Sequence, residues 1–314
     1  MKVINILFLG GAKRVSLAEK FIEAGLKRNC EVHIYSYELD KHVPIASVGT
    51  VLEGLKWNNP DLYNHLSEII RTKHIHTVLP FVDAAIAVTS KLAVLHPELY
   101  FPVSDLYIAD VMFDKLTANK WFMDHKLPVP PQTQLFPLIA KPRTGSASKG
   151  ILVLHDQDDA DYFDKKNTRN EFLIQKFIAG IEYTVDCYIS KEGKIISAVP
   201  RMRAEVTSGE ATKTVTVKDE QIIRLSGEIL SKGKFKGPVT IQFIRDTKTQ
   251  ETYIMEINPR FGGGVLASIE AGADSTQLLI DELLGLPITS NISWKENIIM
   301  TRSFRETYFY ADNH

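Results

Sequence analysis

The sequence predicts an α/β protein in two parts, a doubly wound parallel sheet followed by a mostly antiparallel region. The first part is indicated by continuous apolar strands that alternate with amphipathic helices up to about residue 110. The second part is indicated by strands of alternating apolar and polar residues that begin after residue 180. A chain of 314 residues is long enough for two or three domains that share a sizeable core.

Apolar periodicity predicts the elements of the first part. The expected strands are Val3–Leu9, Glu31–Tyr37 and Thr77–Phe81. The expected helices are Ser16–Lys27 and Leu62–Thr72. A further helix over Phe113–His125 should stop before the LPVPP motif, because proline lacks an amide hydrogen and restricts the residue before it.

The rest of the chain is expected to contain a small subdomain and then a larger sheet. The stretch to about Lys176 is short and rich in turn signals, as suits a subdomain. The expected later strands are Tyr183–Ser190, Lys194–Val199, Pro238–Arg245 and Thr252–Asn258, and the expected helices are Val265–Ala271 and Thr276–Leu284. These patterns predict domains at 1–110, 111–180 and 181–314.

Composition and charge argue against several classes of function. The formal net charge of -1 argues against bulk electrostatic binding to nucleic acid or an anionic membrane. No apolar run approaches the roughly 18 residues of a membrane helix, and MKVINILFLGG is typical of a buried first strand, not of a signal peptide. Cys30 and Cys187 form no metal-type pair, and the histidines show no zinc-type spacing. We therefore expect a cytoplasmic protein.

Two strands near the C-terminus, PVTIQFIRD and ETYIMEIN, predict a hairpin with one polar face. Alternation in the first strand places Val239, Ile241 and Phe243 on one face and Thr240, Gln242 and Ile244 on the other. In the second strand it predicts an apolar face of Tyr253, Met255 and Ile257, opposite Ile254, Glu256 and Asn258.

The predicted hairpin brings side-chain oxygens together. A turn near Thr249 places Gln242 opposite Glu256, with Asn258 one step along the same face. Mg²⁺ prefers oxygen ligands and is usually held by one or two carboxylates with substrate phosphates. Arg260 follows and suits an anion, and the next three glycines let backbone approach a ligand closely. A hairpin with a merely solvated polar face is the alternative.

The segment PLIAKPRTGSASKGI predicts a strand that leads into a loop of small residues. Such a loop leaves backbone N–H groups free to contact phosphate oxygens, and the candidate residues are Gly145, Ser146, Ser148 and Gly150. Lys141, at the end of the strand, supplies a point charge. Lys115, in FDKLTANK, is a second candidate phosphate contact. The alternatives are a mobile surface hairpin and, for Lys115, a solvated helix charge.

A third segment, FLIQKFIAGIEYTVD, connects two predicted strands. Gln175 and Lys176 end the first strand, Phe177 and Ile178 follow, and Glu182 opens the second. Such a connection can present backbone donors and acceptors to a purine edge, with the carboxylate placed for ribose hydroxyls. An ordinary strand connection is the alternative.

Together these segments resemble the ATP-grasp superfamily over most of the chain. The motif order matches: DK at Asp114–Lys115, KP before the glycine–serine loop, QKFIAGxE, IQF and MEINPRFGGG. The last motif is the most specific, and it is similar to the metal-binding strand of carbamoyl-phosphate synthase large chains and their carboxylate–amine ligase relatives. The resemblance implies an N-terminal domain that completes the substrate pocket and a two-part ATP-grasp fold, with a small lid and a larger antiparallel subdomain.

The resemblance also implies roles for individual residues. The implied ligands of Mg²⁺ or Mn²⁺ are Gln242, Glu256 and Asn258, around the phosphates of ATP. The implied ATP contacts are Lys115, Lys141 and the loop residues Gly145, Ser146 and Ser148 for phosphate, Gln175, Lys176, Phe177 and Ile178 for adenine, and Glu182 for ribose. Arg260 is implied to contact the transferring phosphate or the acyl phosphate.

Two features depart from the family pattern. Only Leu135 and Phe136 lie between VPPQTQ and PLIAKP, where relatives carry an additional helical stretch. Either the lid is shortened or a segment is absent from this sequence. The chain also has a single ATP-grasp unit, whereas carbamoyl-phosphate synthesis couples two such units with an ammonia source. We therefore do not expect the chain to perform that whole reaction.

Four further residues are candidates for the substrate site. Arg14, next to Lys13, can reach a substrate carboxylate or simply form a solvated helix start. Asp83 lies at the carboxyl edge of the predicted parallel sheet, where it can contact an amine or cap a helix. Arg201 and Arg203 share a strand face that suits a carboxylate or phosphate, with a solvated face as the alternative.

The expected function is that of an ATP- and magnesium-dependent ligase. It would activate a carboxylate as an acyl phosphate for attack by an amine or thiol, with Lys141 and Arg260 offsetting charge. A lid over about Leu127–Phe177 would close over ATP and exclude water. Two alternatives stay open, a stand-alone unit that acts on bicarbonate and a non-catalytic ATP-binding module. The expected partners are small-molecule acids and amines, without nucleic acid or membrane, and a homodimer is left open.

Overall fold

The computed structural model describes residues 1–145, 149–207, 209–289 and 293–310. Its N-terminal elements are β1 (Lys2–Leu9), α1 (Val15–Leu26), β2 (Cys30–Glu38), β3 (Thr50–Glu53), α2 (Leu62–Thr72), β4 (Thr77–Pro80) and α3 (Asp83–Leu95). The strands pair in parallel in the order β3-β2-β1-β4. The predicted doubly wound sheet is therefore confirmed, with β3 as an additional edge strand. In the described ranges, no helix is long and apolar enough to cross a membrane.

The helix expected at Phe113–His125 is confirmed as α5 (Lys115–Asp124). A helix that was not expected, α4 (Leu106–Phe113), precedes it. The break lies at Asp114, whose carboxylate accepts hydrogen bonds from the N–H groups of Leu116 and Thr117, at 2.8 and 3.1 Å. An aspartate in this position satisfies N–H groups that have no partner within the helix, so it begins a new helix.

The small subdomain is a three-stranded antiparallel sheet covered by a helix. Its elements are β5 (Leu138–Pro142), β6 (Leu152–Leu154), α6 (Gln157–Lys166) and β7 (Phe172–Lys176), and the strand order is β6-β5-β7. Helix α6 was not expected from the sequence. Its N-cap is Asp156, and its first turn is acidic and its last turn basic, which stabilises the helix dipole. The residues between Asp124 and Leu138 contain no helix.

The larger sheet has the strand order β12-β11-β8-β9-β10-β13, and the pairs whose register is described are antiparallel. The elements are β8 (Gly180–Ile189), β9 (Ile195–Thr207), β10 (Glu210–Thr216), α7 (Glu220–Ser231), β11 (Gly237–Asp246), β12 (Thr252–Asn258), α8 (Val265–Glu270), α9 (Ser275–Leu283) and β13 (Ile299–Thr301). Short 3-10 turns lie at Pro44–Ser47 and Arg169–Glu171.

The β11–β12 hairpin has the predicted register but not the predicted faces of β12. Gln242 lies opposite Glu256, as expected, but the next pair is Phe243 with Ile254, so Met255 is an extra residue in a β-bulge. The bulge shifts the alternation, and Ile254 and Ile257 are the buried side chains, each 1% exposed. The predicted apolar face of Tyr253, Met255 and Ile257 is therefore wrong.

The N-terminal sheet and the larger sheet share one hydrophobic core. Phe261, which follows β12, is buried in the same cluster as Phe8, Phe21 and Phe81 of the N-terminal part. Its ring centroid lies 5.9 Å from that of Phe21 and 6.2 Å from that of Phe81. Aromatic pairs at such distances stabilise beyond their buried area. Phe261 therefore fixes the glycine-rich segment that follows it against the carboxyl edge of the parallel sheet.

Candidate active site

A cleft with a volume of about 970 Å³ lies between the parallel sheet, the small subdomain and the larger sheet. Ligand pockets of small-molecule enzymes are of this size and often form between domains. The predicted site residues that line the cleft are Arg14, Asp83, Lys115, Lys141, Gly145, Lys176, Phe177, Ile178, Glu182, Arg201, Arg203, Gln242, Glu256, Asn258 and Arg260. Ser146 and Ser148 lie outside the described residues.

The three candidate metal ligands meet on one carboxylate. Oε1 of Glu256 accepts hydrogen bonds from Nε2 of Gln242 at 2.7 Å and from Nδ2 of Asn258 at 2.9 Å. The hairpin register holds Gln242 and Glu256 on neighbouring strands, and Asn258 ends β12 on the same side. The three side chains therefore lie in the same part of the cleft, with the amide nitrogens of Gln242 and Asn258 directed at the carboxylate.

This set of oxygen donors fits a hard divalent cation that is also bound by phosphates. The described residues contain no cluster of three or more His, Cys, Asp or Glu side chains able to hold a metal by themselves. Glu256 supplies one carboxylate, and the amide of Asn258 can turn its oxygen toward a cation, whereas the oxygen of Gln242 accepts a hydrogen bond from Arg203 at 3.1 Å and would have to be released to join them. Mg²⁺ commonly binds through one or two carboxylates and completes its shell with substrate phosphates and water.

Lys141 is a buried cation in the same cleft. Its side chain is on β5 and the residue is 7% exposed. Among the described residues its ammonium makes no hydrogen bond and no ion pair within 4.0 Å. Burial lowers the pKa of Lys141, and the neighbouring Lys115 lowers it further, while the charges of Glu256 and Glu182 oppose the shift. A buried ammonium without a direct partner favours an anion in the cleft.

Lys115 joins the start of α5 to the loop after β5. Its Nζ donates to the carbonyl oxygen of Gly145 at 2.9 Å, and its N–H donates to that of Arg143 at 2.8 Å. Arg143 in turn donates to the carboxylate of Asp114, the N-cap of α5, at 2.7 Å through Nε. These contacts place two candidate phosphate-binding lysines, Lys115 and Lys141, along one wall of the cleft.

The connection between β7 and β8 enters the cleft, but one predicted residue does not. Gln175 is 2% exposed, and its Nε2 donates to Oδ1 of Asn119 at 2.8 Å and to the carbonyl of Pro130 at 3.2 Å. Its side chain therefore does not line the cleft, in contrast to Lys176, Phe177 and Ile178. An amide that is buried must satisfy its hydrogen bonds within the protein, and Gln175 does so against α5.

Arg203 links Glu182, the candidate for ribose binding, to Gln242, one of the candidate metal ligands. Nη1 of Arg203 lies 3.1 Å from Oε2 of Glu182 and donates to Oε1 of Gln242 at 3.1 Å. The side chain of Arg203 is 8% exposed and that of Glu182 is 39% exposed. The alternative of a solvated face is therefore wrong for Arg203, which lies in the interior of the cleft.

Arg201 is also buried, but its charge is directed at a carboxylate of the protein. Its Nε and Nη2 donate to the two oxygens of Asp186 at 2.6 and 3.1 Å, and the two side chains are 2% and 7% exposed. Ser268 donates to the same carboxylate at 2.6 Å. A Cβ on Gly264 would lie 2.5 Å from Nη1 of Arg201. The ion pair therefore packs directly against the glycine segment, and no side chain larger than that of glycine fits at Gly264.

Asp83 contacts an arginine of the protein and does not cap a helix. It is the first residue of α3, whose N-cap is Val82. Its Oδ1 accepts hydrogen bonds from Nε and Nη2 of Arg260 at 3.0 and 2.7 Å. The side chain of Arg260 is 14% exposed and that of Asp83 is 23% exposed. This ion pair connects the carboxyl edge of the parallel sheet to the end of β12.

Two further carboxylates in or beneath the cleft were not predicted. Asp186 interrupts the apolar strand YTVDCYI, and a charge in such a strand is the signal that could have identified it. Glu38, at the end of β2, lines the cleft and accepts a hydrogen bond from Ser36 at 2.6 Å. Burial raises the pKa of Glu38, and hydrogen bonds from Ser36 and from the backbone of Ala12 and Gly11 oppose the shift. Glu38 has no comparable sequence signal.

The sequence matches a family described as "ATP-grasp in the biosynthetic pathway with Ter operon" over residues 168–304. It is 26% identical over 216 residues to the D-alanine–D-alanine ligase of Petrotoga mobilis, a match that covers 63% of this chain and 71% of the ligase. It is 28% identical over 168 residues to the carbamoyl phosphate synthase large chain of Clostridium beijerinckii. That match covers 49% of this chain but only 14% of the synthase.

The fold is similar to solved structures over nearly the whole chain. N5-carboxyaminoimidazole synthetase from Staphylococcus aureus, complexed with ADP, matches with a TM-score of 0.75 and 17% identity, over 94% of this chain and 81% of that one. The biotin carboxylase domain of 2-oxoglutarate carboxylase from Hydrogenobacter thermophilus, in complex with MgADP, ADP and bicarbonate, has a TM-score of 0.70 and 15% identity. The match covers 92% of this chain and 72% of the biotin carboxylase chain.

These matches confirm the expected combination of a parallel α/β domain with a two-part antiparallel fold. The domain boundaries at residues 110 and 180 stay predictions. Residues 168–304 thus match an ATP-grasp family, and the chain is similar to D-alanine–D-alanine ligase and to carbamoyl phosphate synthase large chains.

Proposed function

We propose that the chain is an ATP- and magnesium-dependent ligase that activates a small carboxylic acid as an acyl phosphate for attack by an amine. One observation carries the proposal: Gln242 and Asn258 meet on Glu256 in the cleft that also holds the buried Lys141. The ligases and synthases among its relatives support this class of reaction.

Nucleotide binding would use the side of the cleft next to the small subdomain. Lys115 and Lys141 would contact phosphates as point charges, with Gly145, Ser146 and Ser148 of the segment that follows Lys141 in sequence as further phosphate contacts. The backbone of Lys176 to Ile178 would contact adenine, and Glu182 the ribose hydroxyls. Gln175 would act indirectly, because its amide holds the start of this connection against Asn119.

Gln242, Glu256 and Asn258 would hold Mg²⁺, which neutralises phosphate charge when it is bound. The other contributions belong to the protein's own side chains. Arg260 would contact the transferring phosphoryl group, and its guanidinium is already oriented by Asp83. Lys141, on β5, would also offset charge on the phosphates. Positioning and electrostatic stabilisation would supply the rate, since phosphoryl transfer to a carboxylate requires no protein nucleophile.

The small subdomain, β5–β7 with α6, would cover the nucleotide during the reaction. An acyl phosphate hydrolyses when water reaches it, so closure over the cleft protects the intermediate. The lid would move about the connections near Leu127 and Phe177. The amine would then displace phosphate to form the new C–N bond.

The two alternatives predict different requirements for turnover. A unit that acts on bicarbonate would hydrolyse ATP with bicarbonate and without an organic acid. A non-catalytic nucleotide-binding module would bind ATP but release no ADP with any substrate. The charged groups Lys141, Glu256 and Arg260 together in one cleft argue against loss of turnover.

The test measures ADP and phosphate release with Mg²⁺ across pools of small carboxylates and amines, and separately with bicarbonate. We expect ADP release that requires both an acid and an amine, and that is lost in Glu256→Gln. ADP release with bicarbonate alone would favour the first alternative. Tight ATP binding without ADP release from any pool would favour the second.

A further inference from the structure

The carboxyl ends of the four parallel strands border the cleft. Ala12 follows β1, Glu38 ends β2, Trp57 follows β3 and Val82 follows β4, and all four residues line the cleft. Ligands of open α/β sheets bind at this edge. The nucleotide contacts proposed above come instead from α5 and the antiparallel strands. This edge of the parallel sheet is therefore available to another part of the substrates.

Glu38 places a carboxylate at this edge without a cationic partner. Its Oε1 accepts a hydrogen bond from Oγ of Ser36 at 2.6 Å, and the backbone N–H groups of Gly11 and Ala12 also donate to the carboxylate. Within the described part of the chain, it forms no ion pair within 4.0 Å with a Lys, Arg or His side chain. Glu38 is half-buried, and burial raises its pKa. A cation that binds beside such a carboxylate stabilises its charged form.

The hydrogen bonds to Glu38 also exclude a phosphate from this turn. Gly11 and Ala12 lie between β1 and α1, and free N–H groups at the start of a helix commonly bind phosphate. Here both N–H groups donate to the carboxylate of Glu38, whose negative charge repels an anion. The charge at this end of the cleft therefore favours a cationic ligand.

The cations that border the same end of the cleft do not neutralise Glu38. Lys13 and Lys56 line the cleft but are exposed, so water can solvate their ammonium groups. The guanidinium carbon of Arg14 lies 5.8 Å from the centroid of the Phe81 ring, within the range of a cation–π contact. Glu38 thus keeps a negative charge that a ligand can pair with.

The connection after β3 adds an apolar wall that is fixed against the end of β2. The N–H of Gly54 donates to the carbonyl of Glu38 at 2.7 Å, and the N–H of Leu55 donates to the hydroxyl of Tyr37 at 2.7 Å. Tyr37 is 1% exposed, and its ring centroid lies 6.1 Å from that of Trp57. A buried tyrosine therefore holds Leu55 and Trp57 in the cleft lining, on the connection that contacts Glu38.

A carboxylate and an indole ring on one edge suit an ammonium group on an apolar stem. Carboxylates form strong hydrogen bonds with ammonium groups, and the face of tryptophan attracts cations. A carboxylate also favours the protonated form of an amine, which has no lone pair with which to attack an acyl phosphate. The ammonium group beside Glu38 is therefore not the nucleophile.

We propose that Glu38 binds a second, non-reacting ammonium group of the acceptor, and that the apolar stem of the acceptor contacts Trp57. The acceptor class is then a diamine or a basic amino acid. This inference rests on the proposed ligase function for the role of the bound amine as the acceptor.

The first test is a binding measurement on the full chain that does not depend on turnover. Isothermal titration compares pentylamine with pentanol, which have the same stem but differ in charge. We expect pentylamine to bind more tightly, and Glu38→Gln to weaken its binding about tenfold, which corresponds to about 1.4 kcal/mol. Pentanol should bind equally to both proteins.

Further variants separate binding from folding. Glu38→Gln keeps an oxygen that can accept the same hydrogen bonds, and urea unfolding checks its stability. Glu53→Gln is the matched control, because Glu53 lies opposite Glu38 on β3 and is exposed, and it should bind both ligands as the wild type does. Trp57→Leu keeps an apolar side chain but loses the aromatic face, so it should weaken pentylamine binding.

Three results would overturn the proposal. They are equal binding of pentylamine and pentanol, binding of neither, and equal pentylamine affinities in Glu38→Gln and Glu53→Gln. If Glu38→Gln is too unstable to titrate, Trp57→Leu decides, and unchanged pentylamine binding in that variant would contradict the site.

Turnover separates this proposal from the ligase function. We expect a higher kcat/KM for cadaverine, the diamine of the same length, than for pentylamine. Acid- and amine-dependent ADP release with equal kcat/KM for the two would leave the ligase function in place and contradict the second ammonium group. Pentylamine binding that depends on Glu38, without ADP release from any pool, would contradict the ligase function and leave the ammonium site in place.

Discussion

Asp83 and Arg260 lie 177 residues apart in sequence, and Oδ1 of Asp83 accepts two hydrogen bonds from the guanidinium of Arg260. The pair joins the carboxyl edge of the parallel sheet to the strand that carries the candidate metal ligands. Arg260 is thereby held by the N-terminal domain. The orientation of a group expected to contact the transferring phosphate thus depends on the N-terminal parallel sheet, outside the two antiparallel sheets.

Asp83→Asn should lower kcat more than it raises KM for ATP. The substitution removes the charge that orients Arg260, and we expect kcat to fall about tenfold, or about 1.4 kcal/mol in the activation barrier. Steady-state kinetics with ATP as the varied substrate measures both effects. Asp124→Asn, on an exposed residue of α5, is the matched control. A rise in KM for ATP with unchanged kcat would show that Asp83 acts on nucleotide binding instead.

Glu256→Gln should abolish turnover and leave the fold intact. The glutamine keeps an oxygen that can accept hydrogen bonds from Gln242 and Asn258, but it removes the only carboxylate of the three. We expect kcat to fall by about 100-fold or more, or about 2.7 kcal/mol. The urea midpoint should remain that of the wild type. The exposed Glu251→Gln on the same hairpin is the control, and turnover in Glu256→Gln equal to it would refute the metal assignment.

Lys141→Met should lose ATP binding without losing stability. Burial lowers the pKa of Lys141 in the folded state, so the charged ammonium destabilises the fold at neutral pH. Methionine fills a similar volume without the free-energy cost of burying a charge. Saturating ATP should stabilise the wild type, by about 2.7 kcal/mol at 100 times Kd, but not the variant. Thermal unfolding with and without ATP measures both effects, and a large loss of stability in the variant would indicate a structural lysine.

The same lysine predicts a direction of pH dependence. Its folded pKa lies below its unfolded pKa, so between these two values the unfolded chain binds more protons at this group. The stability of the wild type relative to Lys141→Met should therefore rise with pH in this window. At lower pH, where the lysine is protonated in both states, the difference should be constant. Urea unfolding of both proteins from pH 7 to the alkaline limit of reversible folding checks the sign.

Arg201→Met should destabilise the protein, in contrast to substitutions at the cleft surface. It leaves the carboxylate of Asp186 buried without its cation, and such a loss costs about 3–5 kcal/mol. The double variant Arg201→Met/Asp186→Leu should recover much of this loss, because no uncompensated charge remains. Urea unfolding of the single and double variants measures the coupling. A single variant with wild-type stability and a raised KM would instead make Arg201 a substrate-binding residue.

The sequence determined the elements and contacts that depend on neighbouring residues. The register of Gln242 with Glu256 follows from alternation and a short polar turn, so the hairpin could be predicted from local pattern. The apolar strands and amphipathic helices of the N-terminal sheet are encoded in the same way. The bulge at Met255 was not predictable, because an extra residue in one strand is selected by packing against β11 and the core.

Tertiary structure decided which charges meet. Asp83 with Arg260 and Asp186 with Arg201 each come from separate strands or separate domains. A charged residue carries no local sign of its partner, because Coulomb energy depends on distance in space and on burial, and both are set only when the sheets pack. The sequence therefore supplied the hairpin and the glycine segment, and the fold placed the arginines around them.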